Sequence, residues 1–227
     1  MGVGNPISFI RNVIVVLCVL LTSGCQTADP FSAKNDPKSS SWELGFTEPY
    51  YMKVWVEDSA VEDINGKVFR RTGGGTAAGG EPENGKESAR GWHAVGAATK
   101  AVTGADLPKR IYVRWQSIVE PRTYQVWVDV PEKARQLMVA SVNQRCPETP
   151  TQQASYSASI YLGLAPGGVV QVFVRDSCHR PVKVAKAQAE IEPLGPSLGK
   201  NQGRYAYPVS EKSKSYIEKY GIPYGSW

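Results

Sequence analysis

The chain has 227 residues, with 26 Lys and Arg against 21 Asp and Glu and a formal charge of +5. The basic excess is mild and dispersed, which excludes the dense cationic run of a nucleic-acid binder. Ordinary apolar content over this length supports one buried core, and two histidines leave little for metal or acid–base chemistry.

The N-terminus reads as a lipoprotein signal peptide over residues 1–24. Arg11 and the amino terminus supply positive charge ahead of the unbroken apolar run 13–21. That run fits a signal h-region and falls short of the ~20 residues needed to span a bilayer. Ser23 and Gly24 then precede Cys25 in Leu20-Leu21-Thr22-Ser23-Gly24-Cys25-Gln26, which resembles a lipobox. Thr22 stands where the commonest form has Leu. The reading predicts Cys25 as the lipidated first residue of the mature chain, and Cys18 as a small apolar residue removed with the peptide. Stable anchoring needs more than one acyl chain, which the bacterial lipoprotein modification supplies. Gln26, in place of Asp, favours the outer membrane with the domain in the periplasm. Loss of Arg11 leaves 25 basic and 21 acidic residues, a mature charge of +4.

Residues 25–41 are the lipidated cysteine and a tether. Pro, Ser, Asp and Lys dominate it, so it behaves as a coil reaching on the order of 20–25 Å. One globular domain is expected over 42–227. Residues 50–57 read as a strand, Ile64-Asn65-Gly66-Lys67 as a turn and 68–71 as its return. Residues 72–106 are rich in glycine and poor in aliphatic periodicity. They read as a flexible insertion, with Trp92 and His93 able to fold back over the core. No phosphate-cradling glycine pattern is present in it.

Period-two alternation then predicts a hairpin. Ile111, Val113 and Trp115 share one face, Tyr124, Val126 and Val128 the other strand's, and Pro121 separates them. Pro131-Glu132-Lys133 opens a helix with Ala134, Leu137, Met138 and Ser141 inward. Residues 156–164 and 170–174 form a second hairpin around Ala165-Pro166-Gly167-Gly168, and 182–191 a further strand. Residues 210–220 read as a helix with Ser210 as N-cap and Gly221 after its end. The expected class is mainly β, an antiparallel sandwich or bent sheet with two short helices, with α+β as the alternative.

Cys146 and Cys178 in an oxidising compartment predict a disulfide closing a loop of about 30 residues. The alternative use of Cys178-His179 is a reactive thiol or a metal site, but zinc wants four ligands and only His93 and His179 are at hand. No H-E-x-x-H, G-x-S-x-G or C-x-x-C motif is present. The chain therefore reads as a binding protein, not an enzyme, with no catalytic residue, metal or cofactor assigned. Glu57, Asp58, Glu62 and Asp63 read as a solvated loop cluster. Candidate partner-binding residues are Trp127, Tyr161, Arg114 and Arg175, which lie opposite the aliphatic faces of their strands and are of hot-spot type. The competing reading is a second layer, the insertion or the C-terminal helix, covering those faces; Tyr216, Tyr220, Tyr224 and Trp227 pose the same question.

Leu107-Pro108, Tyr112-Val113-x-Trp115-x-Ser117, Tyr124, the Pro131-Glu132 helix start and Leu164-Ala165-Pro166-Gly167-Gly168 carry a family resemblance. Together with the signal segment they resemble the bacterial lipoproteins grouped as domain of unknown function 2931, over residues 42–225. Some such lipoproteins are encoded beside phospholipase effectors of type VI secretion and resemble their immunity proteins. The resemblance thus implies a periplasmic inhibitor of a lipase effector, needing a complementary surface and no chemistry of its own. The alternative is an envelope structural or assembly lipoprotein; an enzyme comes third. No catalytic or binding residue transfers from the family.

Overall fold

A computed structural model of the chain describes residues 41–83, 87–140, 145–151 and 159–227. The signal segment, Cys25, the tether as far as residue 40, Ser141 and residues 156–158 lie outside the described residues, and Ser41, the last residue of the expected tether, begins a strand. Eleven strands are named here in chain order: β1 (Ser41–Thr47), β2 (Val54–Asp63), β3 (Val68–Arg70), β4 (Gly75–Thr76), β5 (Thr99–Thr103), β6 (Pro108–Ser117), β7 (Arg122–Asp129), β8 (Ser159–Ala165), β9 (Val169–Arg175), β10 (Val182–Gln188) and β11 (Glu190–Ile191). The helices are α1 (Glu132–Ala140) and α2 (Glu211–Tyr220).

The strands make two layers. Sheet A runs β10-β9-β8-β1-β5 and sheet B runs β11-β7-β6-β2-β3, with β4 also on β2. Every pairing between strands is antiparallel except β1 with β8. This is the mainly β, sandwich-like class expected. Alternation creates the layers. Trp42, Leu44 and Phe46 from β1, Ile160, Leu162 and Leu164 from β8, and Val170, Val172 and Val174 from β9 are all buried in one core. Val54, Val56, Ile111, Val113, Trp115, Tyr124 and Val128 meet them from sheet B. Each such side chain contributes roughly 1.5–3 kcal/mol by leaving water.

The two expected hairpins form. In the first, β6 and β7 pair in unbroken register from Arg110↔Asp129 to Ser117↔Arg122. In the second, β8 and β9 pair from Ser159↔Arg175 to Ala165↔Val169. α1 buries Ala134 and Met138. α2 has Ser210 as N-cap, its side chain accepting from Ser213 N, and Gly221 closes it with a bond to Ile217 O.

Several elements differ from expectation. The strand expected at 50–57 starts at Val54 and continues to Asp63, because backbone bonds to the glycine-rich segment divert the preceding residues: Glu48 N donates to Ala78 O and Tyr51 N to Gly80 O. β1 was not foreseen as a strand; its partners, β5 and β8, are remote in sequence. The run 182–191 is two strands. β10 is the edge of sheet A, Ala189 N bonds to Gly168 O, and β11 joins the edge of sheet B.

The glycine-rich segment is a cover with its own strands. β4 and β5 lie within it, and β5 pairs with β1 from Ser41↔Thr103 to Gly45↔Thr99. Between them Trp92 lies flat over the outer face of sheet A. A Cβ at Gly163 would sit 2.6 Å from its ring, so β8 needs glycine where the indole lands. Gly45 makes the same room for Tyr161, whose ring would be 2.5 Å from a Cβ there. Trp92 also meets Phe173 edge-on, with centroids 5.9 Å apart. Covered on both faces, β8 is buried at every residue. A second apolar cluster, with Tyr51, Met52, Ala89, Ala165, Tyr216 and Trp227 at its centre, joins this cover to α2 and the C-terminal segment.

Candidate functional site

The outer face of sheet B is divided. Towards one end of β6, the C-terminal segment lies across it. Ala206 N donates to Gln116 Oε1 at 2.7 Å, Ser197 N donates to Glu57 Oε1 at 2.6 Å, and Tyr207 meets Trp55 edge-on at 5.6 Å. Arg114 is locked beneath: its Nε donates to Glu57 Oε2 at 2.8 Å, and both side chains are largely buried.

Towards the start of β6, the same face is open. Arg110, Tyr112 and Trp127 come together there through the register pairs Arg110↔Asp129 and Tyr112↔Trp127. The Arg110 guanidinium lies 4.5 Å from the Trp127 ring centroid, and the Tyr112 and Trp127 rings are 5.5 Å apart. Glu62, opposite on β2, holds Arg110 by two contacts of 2.7 and 2.6 Å and takes Lys109 at 3.2 Å. Hydrogen bonds from Arg110 and then Lys109 hold the Glu62 carboxyl below its usual range. Tyr112 Oη donates to Gln125 Oε1 at 3.0 Å. Trp127 remains 38% exposed, and Val68, on neighbouring β3, 43%. The patch is thus an aromatic–guanidinium plate whose rotamers are fixed before any partner arrives, which lowers the ordering cost of binding.

The sequence candidates are scattered. Trp127 is in the plate, and Arg114 is in the covered half of the same sheet. Tyr161 is 3% exposed, under the cover of sheet A, where burial raises its phenol. Arg175 lies beside it, with Nη1 donating to Val95 O at 2.8 Å. For Tyr161, Arg114 and Arg175 the covering layer exists. Arg110 and Tyr112 were not singled out, although their positions two residues apart on β6, facing Trp127 across the hairpin, could have identified them.

The acidic cluster is not a loop. Glu57, Asp58, Glu62 and Asp63 all lie on β2. Glu57 and Glu62 pair with arginines, and Asp63 Oδ1 accepts from Asn65 N and Lys67 N to shape the β2–β3 turn. Another acid passed unnoticed. Glu48 is 2% exposed, and Val54 N donates to its Oε2 at 2.6 Å. Burial pushes its carboxyl up to about 8, against the opposing pull of Lys53 and the Val54 N–H. No local pattern marks it, since its cover comes from residues 78–81 of the glycine-rich segment.

Cys146 and Cys178 are disulfide-bonded, with Cα atoms 5.2 Å apart and a separation of 32 residues. His179 Nδ1 lies 2.6 Å from Asp176 Oδ2 and 3.7 Å from Cys178 Sγ. Burial works to raise Asp176, but the Cys178 and His179 backbone N–H groups and the imidazole outweigh it and hold the carboxyl low. Asp176, Cys178 and His179 have the spacing of metal ligands. With Cys178 bonded to Cys146, two of the three keep a donor atom suited to a cation, short of a zinc set. His93 is exposed, and its ring stacks on Tyr50 at 4.5 Å.

With this fold and surface in view, the chain belongs to the family described as Protein of unknown function (DUF2931), whose model matches residues 27–225. No curated relative and no solved structure matches the chain.

Proposed function

We propose that this is a membrane-anchored lipoprotein that acts by binding another protein, as an immunity or inhibitor protein against a secreted phospholipase-type effector. The signal segment 1–24, followed directly by Cys25, supports an envelope address with the domain facing the periplasm. The observation that carries the binding reading is the preformed Arg110–Trp127–Tyr112 plate on the open half of sheet B. Arg, Trp and Tyr are the residues that dominate interface energetics, and such residues cluster at the centre of an interface.

A stiff, disulfide-closed sandwich suits the task. It presents one fixed face and could occlude a lipase active site without chemistry of its own. Attachment through Cys25 and a coil of about 15 residues would keep that face near the membrane that the effector attacks. The test is direct binding of the purified domain to any phospholipase-type effector found encoded beside its gene, scored with Trp127→Ala and Arg110→Ala. Tight binding weakened by both substitutions supports the reading. Absence of such an effector, or failure to bind it, together with a stable resident envelope partner, supports the structural-lipoprotein alternative.

A further inference from the structure

The outer face of sheet A holds a second arrangement, independent of the plate on sheet B. Glu43, Ser159 and Arg175 form a row across three strands, since Glu43 pairs with Ser159 and Ser159 with Arg175 in register. The row forms part of the wall of a cleft of about 410 Å³, bordered also by Thr99, Tyr161 and Ser177. The wall is built, not incidental. Glu43 Oε2 accepts from Thr99 Oγ1 at 2.8 Å and from Ser159 Oγ at 3.0 Å, which fixes the carboxylate. Arg175 is fixed by Nη1 on Val95 O, and its buried Nε–H has no hydrogen-bond partner among the described residues. A buried donor left in that state costs about 1–3 kcal/mol, more for a charged group, unless a ligand or water takes it.

The charges limit what fits. A simple anion drawn to Arg175 would also face Glu43 and Asp176, which lines the same cleft. A simple cation drawn to Glu43 would face Arg175. Two strand spacings, about 10 Å at the backbone, separate the ends of the row, and both side chains are long enough to narrow that gap. The volume admits a molecule of amino-acid or headgroup size.

We propose that this cleft binds a small zwitterion, with its primary ammonium at Glu43 and its carboxylate or phosphate oxygens at Arg175. Free amino acids and the phosphoethanolamine headgroup of a phospholipid share this chemistry. The site lies on the opposite sheet from the plate and needs neither the anchor nor an effector, so its failure would leave the proposed function standing.

The test uses the chain from Gln26 onwards, which retains every described residue of the domain. Calorimetric titration would compare glycerophosphoethanolamine and L-alanine with their single-charge counterparts, ethanolamine, glycerol 3-phosphate and acetate. Saturable binding of at least one zwitterion and none of the counterparts is expected. Glycerophosphoethanolamine alone would identify the headgroup, and L-alanine alone the free amino acid. Glu43→Gln keeps an acceptor for Thr99 and Ser159 but removes the charge, and should weaken binding at least about tenfold. Arg175→Lys keeps the charge but loses Nε–H, and should weaken it similarly. Both variants are checked for a native melting transition; if one fails to fold, the other decides. Absence of saturation by either zwitterion at millimolar concentration, counterparts that bind as well, or unchanged affinity in a folded variant would overturn the proposal.

Discussion

Glu48 ties stability to pH in a direction opposite to that of most carboxylates. Its side chain is buried at the junction of β1 with residues 78–81, and its carboxyl titrates at about 8 in the folded protein against an ordinary value of 4.5. Below about pH 4.5 both folded and unfolded forms hold the proton, and Glu48 costs nothing. As pH rises, the unfolded chain releases its proton while the folded chain keeps it, so stability falls until about pH 8 and then levels off. At 1.36 kcal/mol per unit, reduced by the curvature near each end, the loss between about pH 5 and pH 8 is about 3–4 kcal/mol. Glu48→Gln removes the titration and keeps an amide oxygen for Val54 N. Urea unfolding of both proteins across this range, with the disulfide intact, measures the difference. The variant's advantage should grow by about 3–4 kcal/mol from pH 5 to pH 8, whatever its constant offset. Parallel profiles for the two proteins would refute the argument, because they would mean that Glu48 ionises normally or is hydrated in the fold.

Trp127→Ala should cost a partner about 2 kcal/mol of affinity or more, roughly thirtyfold, while moving stability by no more than about 0.5 kcal/mol; calorimetric binding and melting separate the two. Gly163→Ala places a methyl against the Trp92 ring and should cost about 1–3 kcal/mol; a red shift in tryptophan emission and faster proteolysis within 87–98 would report the cover lifting. Reducing the Cys146–Cys178 bond, which spans 32 residues, should lower stability by about 3–4 kcal/mol in the chain-entropy account. For a domain of this size that is about 10 °C in Tm, read by scanning calorimetry with and without a phosphine reductant.

The hairpins were legible because their signal is local. Ile111, Val113 and Trp115 alternate within one strand, their partners follow after a short turn, and Ala165-Pro166-Gly167-Gly168 announces the second reversal. The α2 cap was legible for the same reason, since Ser210 and Gly221 act within one helical turn. What escaped is non-local. Trp42, Leu44 and Phe46 alternate too, but β1 gains its place from β5 and from a parallel partner more than a hundred residues away. β5 has one buried residue, Val102, and exposed lysine and threonine elsewhere, so nothing in its composition separates it from loop. The fate of the candidate site residues follows the same logic. Arg114 and Trp127 both sit on outward positions, and only the path of residues 195–207 decides that one is covered and the other open. Glu62 is one residue from Asp63, yet one clamps Arg110 across the sheet and the other shapes a turn.

The most direct test of the binding account is genetic and biochemical at once. A deletion strain carrying a phospholipase-type effector gene from the same locus, active or inactivated, would be complemented with the wild-type chain, Cys25→Ser or Trp127→Ala; a locus with no such gene would itself count against the account. The account predicts that loss of the protein poisons only the strain with active lipase, that the wild type rescues it, and that Trp127→Ala rescues poorly although it accumulates and fractionates with membranes. Cys25→Ser should leave the membrane fraction. A deletion that is harmless beside an active lipase would contradict the account.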